Sequence, residues 1–280
     1  MKCFHILRVI NNNVILVQEQ GKETETVLIG KGLGFSRKPD MEVQLDEKQI
    51  EKSFLSYDNK NKSEYLSLIE QLDNRVVEVC SEIIIIAEKS IGKLSQRLNI
   101  VLTDHIGFAI ERLKNGLEIQ NPFISEIKIL YPKEYQIGLI AKKMIKEQVG
   151  VDINEDEVGF IALHLNAARK NKEAKETLKE TIAIRKMVSV IEEGLGVVIN
   201  SGLDYTRLLN HLRGGIKRTQ NGGESINPLI EAVQRDLKDC YSIAYKVGEI
   251  AKEALGVEFP EGELGYLAIH IDRLKRSVQR

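Results

Sequence analysis

The sequence predicts a multidomain chain: a small all-β module at the N-terminus followed by two homologous all-α helical bundles. Three observations predict it. The first 46 residues are dominated by β-branched runs broken at Asn and Gly. From about residue 62 onward, apolar residues recur at spacings of three and four with charges between them. The helical part then repeats itself, without a gap, at a shift of 106 residues. A chain of 280 residues has room for two or three domains, and the boundaries read as 1–57, 62–170 and 171–280.

In chain order, FHILRVI and VILVQEQ are strands joined at Asn11-Asn12-Asn13, where Asn tolerates the positive φ of a tight hairpin. GKETETVLI gives a third strand after a Gly21-Lys22 turn, GKGLGFSRKPD is a glycine-rich loop, and VQL forms a short fourth strand. DEKQIEKSFL reads as a helix and SYDNKNKS as a polar linker. In the helical part, the shift carries Leu102-Thr103-Asp104-His105 onto Leu208-Leu209-Asn210-His211 and Asn121-Pro122 onto Asn227-Pro228. It also carries Gly150-Val151 onto Gly256-Val257, Glu157 onto Glu263, and His164 onto His270. The charged stretch RKNKEAKETLKET is the expected joint between the copies.

Composition excludes several classes. Net charge is −1, so no global basic field points to nucleic acid, and any polyanion contact must be local. The three cysteines, Cys3, Cys80 and Cys240, are scattered and form no CxxC pair, which argues against a disulfide framework and for a reducing cytoplasm. MKCFHILRVINNN lacks the architecture of a signal peptide. The most apolar run, EIIIIAEK, is too short and too charged to span a bilayer.

Four of the five histidines fall at equivalent places in the two copies. His164 lies on a helix that starts at Asn154, a good N-cap, with Glu157 three residues on in a capping-box arrangement. In the second copy Pro260 and Glu263 stand at the corresponding start. Arg112 follows His105 by seven residues, hence on the same helix face, and Arg218 holds the same relation to His211. Three readings compete. Each histidine could be a structural residue held by a hydrogen bond. Two per bundle could bind a divalent ion, but ions need three or four ligands and no further ligand cluster accompanies them. Or His105, His164, His211 and His270 could accept phosphoryl groups, each adding about 1.5 to 2 negative charges and three acceptor oxygens, with Arg112 and Arg218 as candidate phosphate partners.

Resemblance favours the third. LTDHIGFAIER and EVGFIALHLNAA in the first copy, and LLNHLRGGIKR and ELGYLAIHIDR in the second, resemble phosphotransferase-system regulation domains (PRDs). Their hallmark is a pair of phosphorylatable histidines. Gly214-Gly215 departs from the family, which has bulkier apolar residues there, and implies looser packing of that helix.

RVINNNVILV and VLIGKGLGFSRK resemble the co-antiterminator (CAT) RNA-binding domain that precedes two PRDs in bacterial transcriptional antiterminators of the BglG/LicT type. The resemblance covers essentially the whole chain. VLIGKGLGF, LTDHIGFAI and YPKEYQIG are most similar to the glucose-responsive GlcT branch. It implies RNA contacts at Arg8, Asn13, Gly30, Lys31 and Phe35, with Gly32 and Gly34 shaping the loop. Lys31 stands where the family commonly has Arg and lacks its forked geometry. An exposed Phe suits stacking on an unpaired base. The loop fits a dinucleotide fingerprint badly, because Phe35 occupies the place of the last glycine. Residues 1–56 carry eight basic and eight acidic side chains, so electrostatics add little.

The resemblance further implies a homodimer whose paired β modules clamp a leader-RNA hairpin ahead of sugar-uptake genes. The EIIB part of a sugar permease would phosphorylate the first PRD, at His105 or His164, and HPr the second, at His211 and His270. It implies no metal, cofactor, DNA contact, membrane insertion or catalysis. The rival readings are a PRD-containing DNA-binding regulator, which would need a helix-turn-helix near the start, and a metal-dependent helical hydrolase.

Overall fold

The computed structural model describes residues 1–22, 25–50, 52–54, 59–199, 202–223 and 225–278. The N-terminal part is a five-stranded antiparallel sheet: β1 (Lys2–Val9), β2 (Val14–Glu19), β3 (Glu25–Ile29), β4 (Glu42–Leu45) and β5 (Lys52–Phe54), in the order β4-β1-β2-β3-β5. β1 carries a bulge between Ile6 and Arg8. One apolar set, with Phe4, Ile6, Ile15, Val17, Leu28 and Leu33, forms the core of the module itself. The alternate set, with Val14, Val27 and Ile29, packs with Tyr65, Ile69, Val77 and Ile100. Successive strand residues point to opposite faces, so both faces of this small sheet are covered. A module of this size buries little core alone, and the second cluster supplies what it lacks.

Two expectations are corrected here. DEKQIEKSFL is not a helix: Asp46–Gln49 forms a turn capped by the Gln49 side chain on Asp46 N–H, and Lys52–Phe54 pairs with Val27–Ile29. Closing the open edge of β3 outweighs the helix propensity of the Glu and Lys residues. The Asn11–Asn13 turn does not use positive φ. Instead Asn11 Oδ1 accepts from the N–H groups of Asn13 and Val14, both at 2.9 Å, an Asx turn that does the same work from the side chain. Glu23, Thr24 and Glu51 lie outside the described residues, as do Leu55–Asp58.

The helices are α1 (Asn59–Gln71), α2 (Asn74–Ile91), α3 (Leu98–Lys114), α4 (Ile124–Leu130), α5 (Pro132–Val149) and α6 (Glu155–Arg169). They continue as α7 (Ala174–Leu195), α8 (Leu203–Gln220), α9 (Ile230–Asp236), α10 (Lys238–Leu255) and α11 (Glu261–Val278). The end of the expected linker, from Asn59, is already helical. The charged stretch expected to be a joint is mostly the first two turns of α7, and only Lys170–Glu173 connects it to α6. Thr177, Glu180, Thr181 and Ala183 are buried along α7, so the stretch is part of an amphipathic helix, and the boundary between the compact units falls within it, between Ala174 and Lys175.

The 106-residue shift reappears in the elements: it carries α4 onto α9 and α5 onto α10, end to end. The compact units follow the two copies except around α4. Unit 1 comprises Met1–Asn121 and Lys133–Ala174, so it contains the sheet, and unit 2 comprises Pro122–Pro132 and Lys175–Arg280. The segment around α4 is therefore built into unit 2. There Glu126 accepts from Tyr205 Oη at 2.5 Å, the Leu130 carbonyl accepts from the Arg213 guanidinium, and Tyr131 Oη and Thr181 Oγ1 lie 3.2 Å apart.

Candidate functional site

In unit 1, His105 comes from the middle of α3 and His164 from the third turn of α6. α6 begins as its sequence predicts, with Asn154 Oδ1 accepting from Glu157 N–H at 3.0 Å. The Glu157 side chain does not return to close a capping box. It turns inward, 1% exposed, and meets Arg112 Nη2 from α3. This ion pair fastens α3 to α6 beneath the histidines. It is one-pronged: Glu157 Oε2 and Arg112 Nε have no hydrogen-bond partner among the described residues. His105 Nε2 stands 3.3 Å from that free Oε2 without the alignment of a hydrogen bond, and His164 Nδ1 is buried and unpaired. The two imidazole centroids are 4.9 Å apart, and Phe160 meets His105 edge-on at 5.9 Å.

Burial, assisted by His105, pushes the His164 imidazole down to about 3, so it is uncharged at neutral pH. The cleft above the pair, about 540 Å³, is lined by Glu64, Leu68, Val101, Asp104 and Phe108 as well as the histidines. Its charged lining is entirely acidic. Phe108 is 60% exposed, and the Arg112 guanidinium sits 5.4 Å from its ring centroid, covered and 9% exposed.

Unit 2 repeats the arrangement on α8 and α11. His211 and His270 approach more closely, with centroids 3.3 Å apart. Burial pushes His270 down to about 4, with His211 adding to the effect, and lowers His211 as well. Arg218 grips Glu263 with a fork, Nε to Oε1 at 2.6 Å and Nη2 to Oε2 at 2.9 Å, which holds that carboxyl below its usual range. At the Gly214-Gly215 departure α8 still runs unbroken from Leu203 to Gln220, but the site is more open than in unit 1, with Arg218 50% exposed against 9% for Arg112. A Cβ on Gly215 would lie 3.3 Å from Glu263 Oε2, and one on Gly214 3.2 Å from Arg218 Nη1. The glycines make room for the fork, and Gly214 stands at the repeat position of Phe108.

The second candidate surface is on the sheet. The glycine loop folds back on the Asn turn: Gly30 N–H donates to the Asn13 carbonyl and Gly34 N–H to the Asn12 carbonyl. Gly34 allows this approach, because a Cβ there would fall 2.0 Å from the Asn11 carbonyl oxygen. Asn13 is buried, and its Oδ1 accepts from Gly32 N–H at 2.9 Å, so it braces the loop from beneath. Gly30 is also buried, whereas Lys31, Gly32 and Phe35 reach solvent, with Phe35 68% exposed. An exposed aromatic beside a lysine on a braced loop is the pattern that stacks and pairs with an unpaired nucleotide.

Arg8 is engaged by an acidic partner. Its Nη1 is paired with Glu70 of α1 at 2.6 Å, and the neighbouring Asn12 N–H donates to Glu78 of α2 at 3.1 Å. The acidic grip on Arg8 and Asn12 was not legible in the sequence, since Glu70 and Glu78 carry no local signal. The same holds for Arg207 and Arg273, which line the second imidazole cleft. Comparing the repeats position by position would have found those two, because Val101 and Ala167 stand at their places in the first copy.

Among the described residues, no group of three or more His, Cys, Asp or Glu is arranged to hold a metal ion, and no helix is long and apolar enough to cross a membrane.

Comparison with known proteins gives matches along most of the chain. The CAT RNA binding domain model matches residues 4–63, and the PRD domain model matches 52–168 and 185–274. Transcription antiterminator LicT of Bacillus subtilis is 37% identical over 280 residues, spanning 98% of this chain and 99% of its own. The PtsGHI operon antiterminator of the same organism is 33% identical, spanning 98% of each chain. A crystal structure of GlcT CAT-PRDI matches 60% of this chain and 99% of its own, at 37% identity and a TM-score of 0.54.

Proposed function

Because this chain belongs to the family of transcription antiterminators built from a CAT RNA-binding domain and two PRDs, we propose that it binds a hairpin in a leader RNA. Binding prevents termination ahead of sugar-uptake genes of the phosphotransferase system, under the control of histidine phosphorylation. The relatives are named as antiterminators, and the chemistry proposed for this chain is that of a phosphoryl acceptor and a switch of RNA fold, in the cytoplasm.

The observation that carries the reading is the pairing of imidazoles on facing helices in both units, at 4.9 and 3.3 Å, with burial keeping His164, His211 and His270 uncharged. A neutral imidazole presents a nitrogen lone pair, which an imidazolium lacks. That lone pair attacks phosphorus on a phosphorylated donor protein, and the bond from phosphorus to the donor breaks with its electron pair leaving on the donor. The expected donors are EIIB of a sugar permease for His105 or His164, and HPr for His211 and His270.

In unit 1 the incoming group lands among carboxylates. Glu157 Oε2 is 3.3 Å from His105 Nε2, and Asp104 and Glu64 line the cleft. Two unit charges 4 Å apart at an effective dielectric of 20 repel by roughly 4 kcal/mol, enough to move a packed interface between states. The phosphorylated first copy disfavours the active homodimer, and loss of phosphate lets the sheet modules pair on the hairpin, with Lys31, Gly32 and Phe35 against the RNA and Asn13 and Gly30 fixing the loop.

A DNA-binding regulator would need a recognition helix in the N-terminal part; the described residues before Asn59 form strands and turns and contain no helix.

Purified phosphotransferase components and labelled phosphoenolpyruvate, with each of His105, His164, His211 and His270 replaced in turn, test the reading. Label on the wild type that falls with individual replacements is expected, and no label on any of the four contradicts it. In a reporter strain without sugar, His105→Ala leaves antitermination on and His105→Asp holds it off.

A further inference from the structure

The two imidazole clefts occupy the same repeat positions but differ in their charged lining, and that difference belongs to this chain's own residues. The unit 2 cleft, about 500 Å³, is lined by Asp204, Arg207, Asn210, Arg218 and Arg273 around His211 and His270. At the corresponding first-copy positions stand Leu98, Val101, Asp104, Arg112 and Ala167. Three guanidiniums therefore border the second cleft. The first is lined by Glu64 and Asp104, and Arg112 lies covered against Phe108.

Of the three, Arg218 is committed to Glu263 by its Nε and Nη2 and is 50% exposed. Arg207 reaches Asp204 only at 3.4 Å. Arg273 makes no ion pair with a described residue, lies on the exposed face of α11 one turn beyond His270, and acts on that imidazole through its charge. Two carboxylates against three guanidiniums leave a net positive cleft, with Asn210 in place of the Asp104 that would oppose an anion. Burial favours the neutral form of both imidazoles, which offers one N–H donor each, and Glu263 acts on His211 through its charge without an ion pair among the described residues. Guanidinium forks match phosphate oxygens in geometry as well as charge.

We propose that the α8–α11 cleft is a binding site for a phosphate dianion, held non-covalently by Arg207 and Arg273 with Arg218 and Asn210 at its edge, and that the α3–α6 cleft is not. The dianion is either free phosphate or the phosphoryl group borne on His211 or His270. The second source rests on the function proposed above; the first does not. No bond is made or broken in the binding itself.

The test has two arms on the full-length protein. In the first, orthophosphate is titrated at pH 8 and constant ionic strength against chloride, while the histidine side-chain resonances are followed by NMR. His211 and His270 shift saturably, and His105 and His164 do not. Arg207→Gln and Arg273→Gln each weaken binding by about tenfold, the loss of one charge-assisted contact. Gly214→Phe, which rebuilds the ring found in the first copy, weakens it too. Both arginines are exposed, and an unchanged circular dichroism melt shows that the variants fold.

In the second arm, the lifetime of the phosphoryl group on a His105→Ala/His164→Ala background is compared with and without Arg207→Gln/Arg273→Gln. A change in the first arm alone identifies free phosphate as the ligand, and a shortened lifetime in the second identifies the histidine-borne group. If orthophosphate binding and phosphohistidine lifetime are both unchanged by the arginine replacements, or if phosphate moves the first histidine pair as much as the second, the site is refuted. Failure to label any histidine would overturn the proposed function while leaving the first arm intact.

Discussion

His105 with His164 and His211 with His270 occupy the same positions of one repeat, yet they sit in opposite surroundings. The first pair rests on a buried ion pair with one prong, beside a carboxylate oxygen and an arginine nitrogen without a hydrogen-bond partner among the described residues, under an acidic cleft. The second rests on a half-exposed fork that satisfies both oxygens of Glu263, under a cleft bordered by arginines. Four substitutions make most of the difference: Phe108 against Gly214, Asp104 against Asn210, Val101 against Arg207 and Ala167 against Arg273. A duplicated scaffold therefore carries two different responses to the same added charge. A dianion in the first pair meets carboxylates; in the second it meets guanidiniums.

The comparison can be broken most sharply at the ion pairs. Arg112→Ala leaves the Glu157 carboxylate buried and unpaired, and is expected to cost about 3–5 kcal/mol in urea denaturation. The matching Arg218→Ala exposes Glu263 to water through a half-exposed position and costs about 1–2 kcal/mol. Equal losses would mean that the two pairs are not differently buried.

Acid titration comes next. The folded His164 stays neutral down to about pH 3, whereas an unfolded histidine titrates near pH 6.5. Between these values the unfolded chain binds the extra proton, so its contribution to stability is complete above pH 6.5 and is lost as pH falls towards 3, at up to about 1.4 kcal/mol per pH unit. His164→Gln removes that slope. His270→Gln removes one of similar slope that ends sooner, near pH 4, and so has a smaller total. A stability profile for His164→Gln as steep as that of the wild type would count against a neutral buried imidazole.

The smallest effect concerns the sheet, where unit 1 again places acid against a basic group. Glu70→Gln releases Arg8 from its 2.6 Å partner. It is expected to tighten hairpin RNA binding by a few-fold, since an exposed ion pair is worth less than about 1 kcal/mol. It should also steepen the salt dependence by about one phosphate contact. No change in either would leave Arg8 outside the RNA surface.

Much of this was legible in the sequence. The four antiparallel strands, the helix start at Asn154, the repeat and the histidine pairs follow from β-branched runs, one Asn cap and a gapless shift, all of them local or periodic signals. β5 was not legible, because DEKQIEKSFL favours a helix and only the open edge of β3, a tertiary fact, makes Lys52–Phe54 a strand. Glu157 resembled half of a capping box because spacing cannot reveal that its side chain turns inward to Arg112. Gly214-Gly215 read as a weakness, since their purpose appears only when Arg218 and Glu263 are seen to fill the space they leave. The inclusion of Pro122–Pro132 in unit 2 is likewise invisible along the chain, because it depends on Glu126 finding Tyr205.

The most direct measurement is the affinity of the full-length protein for its leader hairpin, by fluorescence anisotropy, before and after phosphorylation by the EIIB donor, in wild type and His105→Ala/His164→Ala. Affinity should fall on phosphorylation of the wild type and stay unchanged in the variant. Equal affinity for the phosphorylated and unphosphorylated wild type, with label shown to be on the first histidine pair, would contradict the account.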